Sequence, residues 1–320
     1  MKIALIGFGN IGKIHLNVIL SSTHQLVGIC DIDEDKLIGF ENELRFTDYK
    51  KMLDEVKPDI VHICTPHHLH KEMIIYALKN EINVFCEKPI CINEREIDEI
   101  QDVLNNCSVQ LGVCYQNRYN PSTIFIKNYL KDKEIILVEG ELKWHRDAKY
   151  YSQSYWRGKK EYEGGGVLIN QAIHTIDLMQ YIGFYPSDIC AKISNISLKG
   201  IIDVEDNAVV TSTDQRFKLT ASNSCSKDYP VKIKIKTDDE LIVIESNKVL
   251  INDKVYECEK LNLIGNAKEI YGGGHACIIK DFYYKVENKI KFDIDFYESI
   301  KSLKIVLASY QSQGKKVKVV

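Results

Sequence analysis

The sequence predicts an α/β protein with two domains: a doubly wound parallel sheet at the N-terminus and, behind it, an α+β domain built on a large, mostly antiparallel sheet. Three observations support this prediction. Short apolar runs alternate with amphipathic segments as far as residue 116, and longer segments of alternating polarity follow Pro121. The chain has 320 residues, which exceeds the usual size of one domain. We expect the domains to comprise residues 1–118 and 119–320.

The first domain shows strand and helix signals in alternation. Apolar, β-rich runs predict strands at residues 3–7, 26–31, 60–65, 83–87 and 110–115. Amphipathic periodicity predicts helices at residues 11–21, 33–42, 49–55, 70–79 and 93–105. Because parallel strands need a crossover connection, which is usually a helix, this order indicates a parallel sheet.

From Pro121 onward the pattern changes to one helix followed by longer strands. A period of two predicts strands at residues 135–144, 187–197, 208–213, 232–236 and 241–245, and helices are predicted at residues 164–182 and 296–312. We interpret the apolar positions of the last two strands as an outward face too apolar for water. These positions include Ile233, Ile235, Leu241 and Val243. We therefore expect the sheet to pack against a second copy in a homodimer or homotetramer.

The composition argues against several classes of function. The 42 basic and 45 acidic residues are mixed along the chain and give a formal net charge of −3, so no nucleic-acid partner is expected. The chain enters an apolar strand pattern at once, without the features of a signal peptide, and no uncharged apolar stretch is long enough to cross a bilayer. We therefore expect a cytoplasmic protein without a membrane partner. The ten cysteines include no C-x-x-C pair, and we interpret them as reduced core residues.

Residues 6–15 contain the pattern G-x-G-x-x-G, where the first predicted strand meets the first helix. Gly7 allows the tight turn, Gly9 lets the backbone approach a pyrophosphate, and Gly12 lets the helix pack closely on the strand. The N–H groups at the helix N-terminus suit the phosphates. This pattern indicates a Rossmann domain that binds a dinucleotide.

Asp31 closes the second predicted strand at the spacing that this glycine pattern requires. A carboxylate there accepts hydrogen bonds from the hydroxyls of the adenosine ribose. It would repel the 2′-phosphate of NADP by about 1–4 kcal/mol at ~4 Å. The sequence therefore predicts NAD as the cofactor.

Further motifs follow the predicted strands and continue into the second domain. They are C-T-P-H-H-L-H at residues 64–70, E-K-P at 87–89, Q-N-R-Y-N-P at 116–121, Y-Y at 150–151, W-R-G at 156–158 and G-G-G-V-L-I-N-Q-A-I-H-T-I-D at 164–177. In this order, and over essentially the whole chain, they resemble the Gfo/Idh/MocA family of NAD(P)-dependent oxidoreductases. Together with the late Gly274-His275 pair, they are most similar to bacterial UDP-N-acetylglucosaminuronate 3-dehydrogenases.

The resemblance implies an active-site lysine at Lys88 and a catalytic histidine at His174. Inositol-dehydrogenase-like members carry an aspartate four residues before that histidine, whereas this chain has Asn170, so the Asp–His relay of those members lacks its acid here. The expected cofactor-binding residues are Gly7, Phe8, Gly9, Asn10, Ile11, Gly12, Asp31, Thr65, Pro66, His70, Glu87, Lys88 and Gln116. The expected substrate-binding residues are Lys88, Arg118, Tyr151, Trp156, Arg157, Asn170, Gln171, His174 and His275.

The chemistry of these residues suits the oxidation of a hydroxyl group. Lys88 follows the fourth predicted strand, at the sheet edge where ligands bind in this architecture, and a partly desolvated lysine can polarise a hydroxyl or accept its proton. Asn170 and His174 are four residues apart on one helical face, with Asp177 one turn beyond to orient the imidazole. The glycines at residues 164–166 let the backbone approach the cofactor or sugar. We expect His174 to be the general base and Lys88 its hydrogen-bonding partner, and the reverse assignment stays open.

Three arginines among aromatic residues suggest the kind of substrate. Arg118, Arg146 and Arg157 lie near tyrosines and tryptophans, and guanidinium groups suit phosphate or carboxylate while aromatic faces suit sugar rings or uracil. The mixture fits an anionic sugar or sugar nucleotide, although each arginine also suits a structural contact. The histidines at residues 62, 67, 68 and 70 would point in different directions and lack a completing cysteine, so no metal is predicted.

The leading hypothesis is NAD-dependent oxidation of a ring hydroxyl, at C3, of a sugar or a nucleotide-linked uronic acid. The alternatives are a free-sugar or inositol dehydrogenase, an NAD-using glycosidase, and a catalytically silent NAD-binding sensor. The presence of both Lys88 and His174 argues against the silent sensor, because a pure binding module has no need of that pair.

Overall fold

The computed structural model describes residues 1–261 and 273–320. These residues form two compact units. The first comprises Met1–Gln116 and Gly273–Ile300, and the second comprises Asn117–Leu261 and Lys301–Val320. Residues 273–300, which the sequence pattern assigns to the second domain, thus belong to the first unit.

The first unit is built on a parallel sheet of six strands. The strands are β1 (Lys2–Ile6), β2 (Gln25–Cys30), β3 (Arg45–Phe46), β4 (Ile60–Ile63), β5 (Asn83–Cys86) and β6 (Leu111–Val113). The connecting helices are α1 (Asn10–Leu20), α2 (Tyr49–Val56), α3 (His70–Lys79) and α4 (Glu94–Leu104). The strand order is β3-β2-β1-β4-β5-β6, with β1 and β4 buried at the centre. This confirms the predicted doubly wound Rossmann sheet.

The helix predicted for residues 33–42 is wrong. The chain forms a short 3₁₀ turn at Glu34–Leu37 in its place. The Asp31 carboxylate accepts a hydrogen bond from the Asp33 N–H at 3.0 Å, an arrangement that favours a turn over a helix. Gly39 has a φ of 102°, which a right-handed helix does not contain. Apolar spacing alone did not reveal these local turn signals.

The second unit contains a sheet of nine strands. They are β7 (Leu137–Lys143), β8 (Asp188–Ser194), β9 (Asn207–Ser212), β10 (Phe217–Ser222), β11 (Lys232–Lys236), β12 (Leu241–Glu245), β13 (Lys248–Ile251), β14 (Lys254–Glu257) and β15 (Val317–Lys318). Their order is β14-β13-β12-β11-β7-β10-β9-β8-β15. Neighbouring strands are antiparallel except for the parallel pair β7 and β10, so the predicted α+β domain with a mostly antiparallel sheet is confirmed.

Helices α5 (Pro121–Tyr129), α6 (Ala148–Ser152), α7 (Lys160–Glu163) and α8 (Ile173–Leu178) belong to the second unit. The π-helical segments Leu168–Ala172 and Met179–Gly183 flank α8 on either side. The predicted helix at residues 164–182 therefore begins later, because the glycines at its start form bends, and it is not uniformly α-helical. π-helical turns are rare and occur frequently at functional sites.

The outward face of the second sheet differs from the prediction. Ile233 and Ile235 are 2% and 0% exposed, so they lie in the core, and the alternate positions of β11 are lysines. Lysine and glutamate side chains pair across neighbouring strands, as Lys232 does with Glu245. Among the predicted positions Leu241 is exposed, at 50%. The face is therefore more charged than expected, and association into an oligomer stays a prediction.

Two helices, α9 (Gly274–Glu287) and α10 (Phe296–Ser312), lie in the last part of the chain. The helix α9 was not predicted, and it contacts α1 and β5 of the first unit. Its Phe282 and the following Phe292 cover Gly112 of β6, where an added Cβ would lie 2.8–2.9 Å from both rings. Apolar spacing shows that such a segment has a buried face but not which sheet it covers, and this explains the unexpected assignment to the first unit.

None of the helices in residues 1–261 and 273–320 has the length and apolar character needed to cross a bilayer. All ten cysteines are unpaired, and five of them, Cys30, Cys64, Cys86, Cys91 and Cys114, are buried. These five behave as the small core residues that the sequence predicts.

Candidate active site

The glycine pattern forms a tight turn between β1 and α1. Gly7 has a φ of 90°, and a Cβ added at Gly12 would collide with the Gly7 carbonyl, so both positions require glycine. An added Cβ at Gly9 would meet nothing within 4 Å, which leaves its backbone open to a ligand. The first turn of α1, beginning with Asn10 and Ile11, contains no acidic residue and no side chain caps it. Its N–H groups therefore fit the pyrophosphate of NAD.

Asp31 follows β2 and is 8% exposed. One carboxylate oxygen accepts a hydrogen bond from the Phe8 N–H at 2.8 Å, and the other lies 3.1 Å from the Lys36 ammonium. The carboxylate is thus fixed beside the glycine turn, where a ribose hydroxyl can reach it. Lys36 was missed by the sequence analysis because it lies five residues beyond Asp31, in the turn that was predicted as a helix.

The other expected cofactor residues follow neighbouring strands of the same sheet. Thr65 and Pro66 come after β4, Glu87 and Lys88 after β5, and Gln116 after β6. Because β4, β5 and β6 are parallel and adjacent, these residues gather at one carboxyl edge. That edge is where ligands bind in doubly wound sheets.

Two side chains at this edge have structural partners instead of facing a cofactor. His70 is fully buried, and its ring nitrogens lie 2.8 Å from the Thr65 carbonyl oxygen and 2.7 Å from the Pro89 carbonyl oxygen. It therefore ties the loop after β4 to the loop after β5. The Glu87 carboxylate lies 3.0 Å from His15 Nε2, so its side chain is directed into the interior.

The buried Glu87 is held ionised by its neighbours. Burial alone would raise its pKa, but the hydrogen bond and electrostatic attraction of His15, with a smaller effect of Lys88, hold the pKa well below the usual range. Lys88 is half-buried, and its backbone N–H donates to the second Glu87 oxygen at 3.3 Å.

His275 lies in the first unit, close to Glu87 and His15. Burial lowers its pKa to about 4, which makes it a neutral imidazole at physiological pH. The group formed by His15, Glu87 and Cys114 brings three donor atoms within 4.8 Å of one another. This cluster is not the histidine set considered in the sequence, and a hydrogen bond already joins two of its members.

In the second unit, His174 of α8 lines a pocket with Asn117, Asn120, Trp144 and Gln171. His174 is half-buried, whereas the residues on either side of it are buried. Buried apolar strand residues of the sheet form other parts of the lining. An imidazole in such a pocket can accept a proton from a bound hydroxyl group.

Asn170 binds a buried carboxyl group that the sequence analysis missed. Its amide donates a short hydrogen bond to Glu163, which also accepts one from the Gly158 N–H at 2.5 Å. Burial raises the pKa of Glu163 to about 7, against the effect of these two donors. Glu163 thereby joins the W-R-G loop to the helix that carries His174, and no sequence motif indicated this contact.

The glycines at residues 164–166 serve internal packing. A Cβ at Gly165 would collide with the Tyr310 hydroxyl, and one at Gly166 would collide with the Glu205 carbonyl oxygen. The Glu205 carboxylate accepts hydrogen bonds from the Gly166 and Leu168 N–H groups. The expectation that this run approaches cofactor or sugar is therefore wrong for these two glycines, whose close contacts lie within the second unit.

Asp177 and Arg118 form a buried ion pair. Arg118 Nε and Nη2 lie 2.8 and 2.6 Å from the two Asp177 oxygens, and Ser302 donates to the same carboxylate at 2.9 Å. The expectation that Asp177 orients the imidazole of His174 is wrong, because its oxygens serve these partners. The charge of Arg118, an expected substrate-binding residue, is thus balanced by Asp177 within the second unit.

The three arginines differ in how their charge is balanced. Arg118 pairs with Asp177, and Arg146 lies 2.8 Å from Asp228. Arg157 is half-buried and forms no ion pair in the part of the chain that the structure describes, although its charge acts on the buried Glu163. Arg157 is therefore the arginine best suited to an anionic ligand.

The remaining expected substrate residues lie around this arginine. Trp156 is half-buried, and its ring centroid lies 5.4 Å from the Arg157 guanidinium. Gln171 accepts a hydrogen bond from Asn223 at 3.0 Å. Tyr151 instead lies in a small core with Leu198, Ile202 and Val204 and is 6% exposed. The expectation that Tyr151 contacts substrate is therefore not met.

These features define an oxidoreductase of the dinucleotide-binding class, with a lysine at the cofactor edge of one unit and a histidine in a pocket of the other. The model of an oxidoreductase family with an NAD-binding Rossmann fold matches residues 1–115, and that of the Gfo/Idh/MocA C-terminal domain matches residues 134–243. Together these models match more than half of the chain. The protein belongs to the Gfo/Idh/MocA family, and its first unit is an NAD-binding Rossmann domain.

Curated relatives match part of the chain at low identity. An uncharacterised oxidoreductase, YrbE of Bacillus subtilis, is 28% identical over 65% of this chain and 62% of its own length. A myo-inositol 2-dehydrogenase of Thermotoga maritima is 28% identical over 57% of this chain and 54% of its own length. The matched part of the chain thus spans less than two thirds of these relatives.

Among solved structures, the WlbA dehydrogenase of Bordetella pertussis, in complex with NADH and UDP-GlcNAcA, resembles this chain with a TM-score of 0.88. The match covers 99% of this chain and 97% of WlbA at 22% identity. At that identity, the likeness establishes the fold.

Proposed function

We propose that the protein is an NAD-dependent dehydrogenase that oxidises a ring hydroxyl, at C3, of a sugar nucleotide such as UDP-N-acetylglucosaminuronate. The observation that carries this proposal is Arg157. Its guanidinium lies 4.8 Å from the Tyr150 ring centroid and 5.4 Å from that of Trp156, and its Nε has no hydrogen-bond partner within the described ranges. A half-buried cation among aromatic rings, with no carboxylate in ion-pair contact and Glu163 acting on it only at longer range, suits a phosphate or carboxylate joined to a ring.

The cofactor side of the reaction is assigned to the first unit. Gly9, the first turn of α1 and Asp31 would hold the pyrophosphate and ribose, and bound NAD supplies the oxidising power. Lys88 follows β5 at the cofactor edge, and we assign it the role of hydrogen-bond donor to the reacting oxygen. His174 is then the group that accepts the hydroxyl proton.

A free polyol or sugar is the second candidate substrate. The Thermotoga maritima relative is named an inositol dehydrogenase, and the pocket that His174 lines contains amide side chains that suit neutral hydroxyl groups. Such a substrate would give Arg157 no charged partner. Arg157 therefore separates the two candidates.

A substrate panel tests the proposal. Purified protein with NAD is given UDP-N-acetylglucosaminuronate, UDP-glucuronate, glucose and myo-inositol, and the reduced cofactor is followed by absorbance. We expect turnover with a UDP-linked uronate and little with the neutral sugars. Turnover with inositol or glucose alone would reject the sugar nucleotide but keep a dehydrogenase, and absence of cofactor reduction with every compound would reject the proposed activity.

We also propose that the protein acts in the cytoplasm as a homodimer or homotetramer. The mixed charged and apolar outward face of the second sheet is the surface proposed for association. Light scattering at micromolar concentration should give two or four times the mass of 36.8 kDa. A monomer mass would contradict this proposal.

A further inference from the structure

A hydrogen-bonded chain crosses the interior of the first unit and ends at Glu87. The Tyr283 hydroxyl lies 2.9 Å from His62 Nε2, and His62 Nδ1 lies 2.8 Å from His15 Nδ1. His15 Nε2 then lies 3.0 Å from the Glu87 carboxylate. His15 and His62 have no exposed surface, and Tyr283 is 2% exposed. Residues from α9, β4 and α1 thus converge on the end of β5.

The direction of this chain follows from counting its protons. One proton lies between the two Nδ1 atoms, so one imidazole donates there and the other accepts. If Tyr283 donates to His62, then His62 donates from Nδ1, and His15 donates from Nε2 to the carboxylate. The opposite direction would leave the Tyr283 hydroxyl proton without an acceptor in residues 1–261 and 273–320. Because an unsatisfied buried donor is costly, the chain runs from Tyr283 to Glu87.

The tautomers that this direction requires are specific. His62 carries its proton on Nδ1, and His15 carries its proton on Nε2. Burial holds the pKa of His62 well below its ordinary value, which agrees with a neutral ring.

The surroundings of the chain argue that it does more than fill space. The Phe85 ring lies 5.8 Å from the His15 ring and 5.3 Å from the His62 ring, measured between centroids, and Phe282 packs on Phe85. Apolar side chains would continue this aromatic cluster without burying polar groups. A fully satisfied polar network in such a place fixes one arrangement of its end groups.

We propose that Tyr283, His62 and His15 are positioning residues that hold the Glu87 carboxylate in place beside the catalytic Lys88. The inference rests on the proposed dehydrogenase function, in which Lys88 donates a hydrogen bond to the reacting oxygen. One Glu87 oxygen receives the chain and the other receives the Lys88 backbone N–H, so the carboxylate fixes both the charge beside Lys88 and its backbone. The residues act through Glu87, without contact to substrate.

The tautomers can be measured without any enzyme activity. Protein labelled with ¹⁵N on histidine is studied by NMR correlation of ring nitrogens with ring protons near pH 7, with His62→Asn and His15→Asn used for assignment. We expect the Nδ1–H tautomer at His62 and the Nε2–H tautomer at His15. The Nε2–H tautomer at His62 would overturn the proposal. So would one equivalent of zinc bound to the purified protein and lost in Cys114→Ser, because His15 Nε2 would then hold the metal.

The positioning role is tested by removing one hydroxyl group. Tyr283→Phe should lower kcat by about threefold to tenfold, the range for remote residues coupled to a site, while KM values and NADH binding stay within about twofold. The matched control is Tyr284→Phe, which removes an exposed hydroxyl from the next residue of the same helix and should leave kcat unchanged.

The outcomes separate the two proposals. Wild-type kcat in Tyr283→Phe, in an active enzyme, would overturn the positioning role and leave the proposed function standing. An equal loss of kcat and of NADH binding would also overturn it, because that result indicates general damage to the fold. If the wild-type protein oxidises no sugar but His62 is the Nδ1–H tautomer, the proposed function is rejected. The hydrogen-bonded chain from Tyr283 to Glu87 is then still supported.

Discussion

Glu87 in the first unit and Glu163 in the second are both buried carboxyl groups, but their pKa values shift in opposite directions. Burial raises the pKa of each. Around Glu87 the hydrogen bond from His15 and the charge of Lys88 overcome that effect, and the pKa falls. Around Glu163 the donors are a backbone N–H and an amide, and the carboxyl group of Glu205 opposes the smaller effect of the Arg157 charge, so burial raises the pKa to about 7.

The comparison shows that burial alone does not decide whether a carboxyl group is charged. The neighbours decide it, because His15 and Lys88 together offset the burial of Glu87, whereas the neutral donors and the Arg157 charge do not offset the burial of Glu163. The first unit therefore holds a permanent negative charge beside Lys88. The second unit holds a carboxyl group that changes its protonation near physiological pH.

The largest expected effect is on stability, through Glu163. Its pKa is about 7 in the folded protein and 4.5 in the reference state, so the folded protein binds the proton more tightly. Its contribution is fully present below about pH 4.5 and is lost as the pH rises through about 7. Over this pH range the contribution of Glu163 to the free energy of unfolding changes by about 3 kcal/mol. Chemical denaturation should show that the free energy of unfolding falls more between pH 5 and pH 8 in the wild type than in Glu163→Gln.

The control for this prediction is Glu161→Gln, an exposed glutamate on the same short helix. Glu161→Gln should have the same free energy of unfolding as the wild type at both pH values. If Glu163→Gln and the wild type lose the same free energy of unfolding between pH 5 and pH 8, then Glu163 is ionised throughout, and the contrast with Glu87 disappears.

The second prediction compares the two proposed catalytic residues, one in each unit. Lys88→Ala and His174→Ala should each lower kcat by about 10²-fold or more, the scale of positioned acid–base help, while NADH binding largely survives. Steady-state kinetics and cofactor titration measure the two effects. The exposed Lys79→Ala serves as a control that should behave as wild type. Normal turnover by His174→Ala would contradict its assignment as the base.

The sequence predicted the first unit well because its signals are local. The strand, the G-x-G-x-x-G turn and α1 follow one another in the chain, and the geometry at Gly7 and Gly12 is what the pattern requires. The error at residues 33–42 arose from a turn that Asp31 and Gly39 impose. The hydrogen-bonded chain from Tyr283 to Glu87 could not be predicted, because its hydrogen-bonded partners are up to 221 residues apart in sequence.

The site of the second unit was predicted less completely. The motifs located His174 and Arg157, but spacing alone could not show that Asp177 serves Arg118 or that Asn170 serves Glu163. Helical spacing puts two residues on one face and leaves open which third residue from another element meets them. Polar pairs between distant segments are therefore the part of a site that requires the structure.

The third prediction sharpens the contrast among the arginines of the second unit. Arg157→Ala should raise the KM for a UDP-linked uronate by about tenfold or more, the ~1.4 kcal/mol of one lost charged contact, with a smaller change in kcat. Arg157→Lys keeps the charge but loses the planar guanidinium. Its KM should therefore lie between those of the wild type and Arg157→Ala. An unchanged KM in Arg157→Ala would indicate that the anionic group binds elsewhere.

The smallest expected effect concerns cofactor choice in the first unit, where Asp31 holds Lys36 at 3.1 Å. The wild-type protein should bind NADH more tightly than NADPH, because the carboxylate repels a 2′-phosphate. Asp31→Ser removes that charge and leaves Lys36, whose side chain is 43% exposed, paired only with Asp33 at 3.7 Å, so that its ammonium can approach the phosphate. The preference for NADH should therefore narrow severalfold in Asp31→Ser, by about 1 kcal/mol, and part of that change should be lost in the double variant with Lys36→Ala. Fluorescence titration with both reduced cofactors measures their binding to the wild type, Asp31→Ser and the double variant. Equal or tighter binding of NADPH by the wild type would show that Lys36, rather than Asp31, determines the electrostatics at the ribose.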